Sequence, residues 1–189
     1  MIDERLRNAT VTEERLNNGA IIRNIKFAGS LQSNVDLGCV SINEVSSAFN
    51  PPALIFAAKK CIQEGRYQSA WELVTTGNGF AYYDLKRLAD RSTQGALSVL
   101  SMNAFNDLSS GQRTELSKTF KEIQMDSAKV NAYCTQLKKI GPPNYDPKWA
   151  ILHGIGAYQE PRNGDYLAKV DAAALWDEVL KARCAVKAS

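Results

Sequence analysis

The chain has a single histidine, His153, in 189 residues. That excludes histidine-rich zinc sites and leaves any imidazole acid–base chemistry to one side chain. Its four cysteines, Cys39, Cys61, Cys134 and Cys184, form no Cys-x-x-Cys pair, so the usual thiolate–zinc and dithiol redox spacings are missing. No apolar run approaches the roughly 18 residues of a spanning helix, so no membrane insertion is expected. Charge of one sign is also lacking: 23 basic and 20 acidic side chains give a formal net charge of +3 and a pI near 8.6. The basic pairs Lys59-Lys60, Lys86-Arg87 and Lys138-Lys139 have acidic residues nearby. They read as solvated helix faces, not as a stripe that neutralises phosphates, so no nucleic-acid partner is expected.

The motifs of common chemistries are absent as well. There is no Gly-x-Ser-x-Gly elbow, no phosphate-cradling Gly-x-x-x-x-Gly-Lys-Ser/Thr, no His-Glu-x-x-His and no calcium loop. Gly77-Asn78-Gly79 reads as a turn, and Gly154-Ile155-Gly156 has no third glycine at the dinucleotide spacing. Neither a metal nor a cofactor is expected. Two catalytic routes stay open: His153 with a cysteine, or an acidic pair of the glycosidase kind. Against the first, Cys61, Cys134 and Cys184 fall on apolar stripes, where thiols are usually inert. Against the second, none of the 20 acidic residues is singled out as a pair. No catalytic residue is assigned.

What the chain does have is ordinary globular composition, with 44% apolar residues and a mean hydropathy of −0.29, and a helical period. Asn50-Pro51 marks a helix start, because the Asn side chain accepts from a free amide and proline has no N–H to leave unpaired in the first turn. Leu54, Ala57, Ala58, Cys61 and Ile62 follow at i, i+3, i+4, i+7 and i+8. After Gly65 the stripe restarts as Tyr67, Ala70, Trp71 and Val74, predicting an antiparallel helical hairpin over residues 50–74. Ala53-Leu54, Ala57-Ala58, Cys61, Gly65-Arg66-Tyr67 and Ala70 resemble one tetratricopeptide-type hairpin. In that family stacked hairpins bind peptides or partner proteins, which is what the resemblance implies here. No second copy follows near the 34-residue spacing of such repeats.

Residues 1–40 read as an N-terminal arm: a charge-rich, weakly helical start, an interruption at Asn17-Asn18-Gly19, and a short strand at Ile21–Phe27 with no evident partner. Residues 41–189 read as one helical domain. Ser41-x-x-Glu44 has capping-box spacing and predicts a short helix to Phe49. A break is expected at Thr75–Gly79, then helices over Phe80–Ala89, after Ser92, after a loop at 103–110, from Asp126 or Ser127 to Gly141, from Asp146-Pro147 through Trp149 and His153, and after Asp171. The fold class is all-α, a single irregular domain of seven or eight helices.

Four cysteines of even number fit either two disulfides or four buried thiols. The disulfide reading pairs Cys39 with Cys61 and Cys134 with Cys184, since Cys39 lies just before the first helix pair and the other two sit on later apolar stripes. Disulfides would place the chain in the periplasm after loss of a signal peptide. Thiols would fit a cytoplasmic protein, as the charged segment Met1–Arg7 does. Aromatic residues beside polar groups at Tyr82-Tyr83, and at Tyr158, Glu160, Arg162, Asp165 and Tyr166, are the candidate partner-binding residues. The function expected is binding of another protein, in its concrete form a bacterial periplasmic inhibitor or immunity protein against a secreted effector or toxin. A cell-wall hydrolase using His153 or an acidic pair is the rival, and a small-molecule carrier is a third reading.

Overall fold

The computed structural model describes residues 9–158, 166–167 and 169–185. Among these residues a two-stranded antiparallel hairpin, β1 (Ala9–Arg15) and β2 (Ile21–Phe27), precedes seven helices. These are α1 (Pro51–Gln63), α2 (Tyr67–Arg87), α3 (Ala96–Phe105), α4 (Ser110–Met125), α5 (Ser127–Ile140), α6 (Lys148–Ile151) and α7 (Ala172–Arg183). The all-α expectation holds. Among the described residues no helix is long and apolar enough to cross a membrane.

The α1 start follows its sequence signature. Asn50 Oδ1 accepts from the Ala53 amide at 3.0 Å, and Pro51 and Pro52 occupy the first turn. Asn34 and Asn50 also exchange bonds, each backbone N–H donating to the other's side-chain oxygen at 3.2 and 3.1 Å. The cap is thereby tied to the segment arriving from the hairpin. Gly65, at φ +73°, reverses the chain at a conformation other residues adopt with strain, and α2 folds back on α1.

The expected break at Thr75–Gly79 does not occur, and α2 runs unbroken for 21 residues. Two glycines in a helix cost about 1 kcal/mol each relative to Ala, yet here both serve close packing. A Cβ on Gly77 would lie 3.3 Å from Ile55 Cδ1, and one on Gly79 would lie 3.1 Å from Val179 Cγ1. One glycine lets α1 approach and the other admits α7. Tertiary contact overrides propensity at this point. Thr76 fits the same way, its hydroxyl donating to the Glu72 carbonyl one turn back at 2.8 Å.

Other boundaries moved for local reasons. Glu44 accepts from the Ser41 amide at 2.9 Å, but the turn it closes is a single 3₁₀ turn, Ile42–Glu44, and no helix extends to Phe49. Asp90, not Ser92, caps the 3₁₀ segment Arg91–Gly95, and α3 continues through Phe105 where a loop was expected. Ser109, Asp126 and Asp171 cap α4, α5 and α7. Asp146-Pro147 opens only one turn, α6, leaving Leu152 and His153 beyond it.

The arm is more ordered than its sequence suggested. The segment read as weakly helical is β1, the missing partner of β2, and Asn18-Gly19 at φ +84° turns the chain between them. Phe27 at the end of β2 is buried edge-to-face on Tyr158, with ring centroids 4.8 Å apart. Leu31 donates to the Trp149 carbonyl at 2.9 Å, fixing the hairpin's base to the helical body.

Two apolar clusters share α2. One gathers Leu54, Trp71, Phe80, Tyr133 and Trp176, and the other Ile55, Leu88, Leu100 and Trp149. The disulfides Cys39–Cys61 and Cys134–Cys184 have the expected pairing, and no cysteine is free. They fasten the segment before α1 to α1, and α5 to the end of α7. Two such bridges suit an oxidising, extracytoplasmic setting.

Candidate protein-binding surface

The last turns of α2 carry Tyr82, Tyr83, Asp84, Lys86 and Arg87. Residues three and four apart share a helix face, so Tyr82 neighbours Lys86 and Tyr83 neighbours Arg87. The structure builds outward from Asp84, whose side chain is fully buried. Tyr145 Oη and Trp149 Nε1 each donate to its Oδ2 at 2.8 Å, and Arg87 Nη2 donates to Oδ1 at 3.1 Å. A buried carboxylate needs such partners, because desolvating an unpaired charge costs several kcal/mol. Burial pushes the Asp84 carboxyl up to about 6, while the hydrogen bonds of Trp149 and Tyr145 and the Arg87 charge hold it back from rising further.

Arg87 is the link from this buried group to the surface. Its guanidinium lies over the Tyr83 ring at 4.3 Å and over the Tyr166 ring at 5.7 Å. Tyr166 pairs with Leu88 through an isolated β-bridge, and the Leu167 amide donates to the Arg87 carbonyl at 2.9 Å. The segment carrying Tyr166 and Leu167, 48% and 42% exposed, is thus laid along the end of α2. Beside it Lys86 Nζ stands 5.3 Å from the Tyr82 ring centre, and Tyr82 Oη donates to Glu178 of α7 at 3.1 Å. The end of α2 thus carries two aromatic–cation pairs, Tyr82 with Lys86 and Tyr166 with Arg87, with Leu167 beside the second.

Of the residues singled out in the sequence, Tyr82 and Tyr166 both stand at the end of α2, Tyr82 beside Lys86 and Tyr166 beside Arg87. Tyr83 is a correction: it is 5% exposed, packed edge-on to Trp176 at 6.0 Å and covered by Arg87, which leaves no face for a partner. Tyr158 is half-buried, and its hydroxyl donates to the Ile25 carbonyl at 2.8 Å, so it anchors the hairpin. Glu160, Arg162 and Asp165 lie outside the described residues. Lys86 and Arg87 were read as a solvated basic pair. Their i+4 spacing from Tyr82 and Tyr83 was the signal for a role with the aromatics.

His153 is half-buried, with Nδ1 3.4 Å from Ser30 Oγ, and burial lowers its pKa. Every cysteine is in a disulfide, so no thiol stands ready as a nucleophile beside it. Among the described residues no group of three or more His, Cys, Asp or Glu is arranged to hold a metal ion. No protein family, curated protein or solved structure matches the chain.

Asp84 gives the domain a measurable pH signature. Its folded-state pKa of about 6 lies above its ordinary 3.8, so between these values the folded state holds more protons than the unfolded chain. Stability from this group is present below pH 4 and falls as pH rises through 6, by about 3 kcal/mol at 1.36 kcal/mol per pKa unit. Glu44, Asp90 and Asp107 have the opposite sign, their pKa values being lowered, and lose their contribution as pH falls. Urea unfolding of wild type and Asp84→Asn from pH 4 to 8 separates the two: the difference curve slopes between pH 4 and 6 and is flat above 7. A flat difference throughout refutes the assignment.

Proposed function

We propose that the chain is a non-enzymatic protein-binding protein, in its concrete form a bacterial periplasmic inhibitor or immunity protein that blocks a secreted effector or toxin. The observation that carries the reading is the Tyr82, Lys86, Arg87, Tyr166 surface. Tyrosine and arginine are the residue types that concentrate binding energy at interfaces, and rigid aromatic side chains lose little entropy when a partner docks. The two disulfides fit a periplasmic location. The likeness of residues 50–74 to a tetratricopeptide-type hairpin points to the same class of function.

Affinity capture from periplasmic and secreted fractions, followed by calorimetry with the purified captured protein, tests the reading. Tyr166→Ala and Lys86→Glu are expected to weaken binding about tenfold or more while leaving the unfolding midpoint unchanged. Both changes avoid Arg87, whose removal would also disturb Asp84. Unchanged affinity in both variants refutes the surface as the binding site. Turnover of a cell-wall substrate that disappears in His153→Ala overturns the non-enzymatic reading.

A further inference from the structure

One turn before Tyr82, α2 borders a cleft of about 270 Å³ between α2, α4, α5 and the end of α7. Its apolar walls include Trp71 of α2, Phe120 of α4 and Val130 of α5, and its polar groups are Thr75, Asn78, Gln124 and Arg183. Small-molecule sites usually run from about 300 to 1,000 Å³, so this space suits one side chain better than a whole ligand. Among the described residues no acidic side chain lines it.

Arg183 stands out within the cleft. Its side chain lies along α2 at Gly79, where a Cβ would come 3.5 Å from its Cγ and 3.9 Å from its Nε. That Nε is buried and has no hydrogen-bond partner among the described residues. Buried donors are nearly always paired, and leaving one unmade costs about 1–3 kcal/mol. A planar carboxylate is the acceptor whose geometry matches a guanidinium edge, and the side-chain amides of Asn78 and Gln124 offer further N–H donors.

We infer that the cleft receives an aspartate or glutamate side chain of the partner protein, with its carboxylate bound by Arg183 and its stem against Trp71 and Phe120. The inference rests on the protein-binding reading and extends its surface. Thr75, Asn78 and Tyr82 fall at i, i+3 and i+7 on α2, and Glu178 and Ala182 at i and i+4 on α7, so the cleft and the aromatic patch lie on one continuous face. A partner covering Tyr82 is therefore within a helical turn of the cleft.

The test uses the intact oxidised chain and a blocked glutamate, N-acetyl-glutamate N-methylamide, followed by NMR at the Arg183 Nε–H and the Asn78 and Gln124 side-chain amides. These resonances are expected to shift together and saturably, with a dissociation constant in the millimolar range. The blocked glutamine analogue should leave them unmoved, and Arg183→Gln should weaken binding about tenfold. Arg183→Lys, which keeps the charge but not the fork, should recover only part of the affinity. Non-saturating shifts, or equal shifts with the glutamine analogue, overturn the proposal. Because the probe needs no partner, that failure leaves the Tyr82 and Tyr166 surface standing, whereas failure of the partner variants leaves the glutamate result intact.

Discussion

Asp84→Ala lowers the unfolding free energy by about 3–5 kcal/mol, the range for breaking a buried charged network by removing one member. Three losses combine. Tyr145 Oη and Trp149 Nε1 lose their shared acceptor, and Trp149 is 1% exposed, so water cannot replace it without local opening. Arg87 loses its ion pair, although its side chain, 21% exposed, recovers part of that from solvent. The network also joins α2 to the segment carrying α6, 61 and 65 residues further along the chain. For a domain of this size the melting temperature should drop on the order of 10 °C. Since the wild type gains stability on protonation of Asp84, the loss should be greater at pH 5 than at pH 8. A melting temperature within 2 °C of wild type, equivalent to no more than about 1 kcal/mol, would falsify the structural role given to this carboxylate.

Removing the Cys134–Cys184 bridge as the double serine variant costs about 4 kcal/mol, from the loop-closure entropy of the 50 residues it spans. The Cys39–Cys61 bridge spans 22 residues, and its removal is expected to cost about 3 kcal/mol by the same relation. The longer loop has a second consequence, because it ends on α7. That helix rests on α2 through Val179 at Gly79 and carries Arg183 into the cleft. Its release should therefore be visible as faster amide exchange in α7 before the rest of the domain is affected. Denaturant midpoints for wild type and each double variant, in the presence and absence of reductant, decide the matter. A wild type whose midpoint is unmoved by full reduction would show that neither bridge constrains the unfolded chain.

The parts of this fold that could be read in the sequence are those set by adjacent residues. Asn50-Pro51, Ser109, Asp126, Asp171 and Gly141 act within one helical turn, so spacing alone places them. Gly77 and Gly79 misled for the opposite reason. What makes glycine acceptable there is Ile55 on one neighbour and Val179 on another, and neither is local. β1 was hidden in the same way, since strand pairing across Asn18-Gly19 outweighs a charge-rich composition. At the candidate surface, aromatic residues marked Tyr82 and Tyr166, but Tyr83 differs from Tyr82 only in which side of α2 it faces, and that side is set by Trp176. The Arg183 cleft had no sequence signal because its lining comes from four helices.

The unbroken course of α2 bears on how fast and how specifically this surface can be used. Its inner face contributes Leu73, Phe80 and Leu85 to the two apolar clusters, all of them nearly or fully buried. Its central amides should therefore exchange with solvent only when the whole domain opens, on a slower timescale than the exposed β1–β2 pairs. Asn78, Tyr82 and Lys86 ride on that same backbone, so a partner meets them already spaced as they will be in the complex. For the contacts made by α2, association then has no backbone ordering step, and selectivity there lies in the fit of partner side chains to a fixed helix.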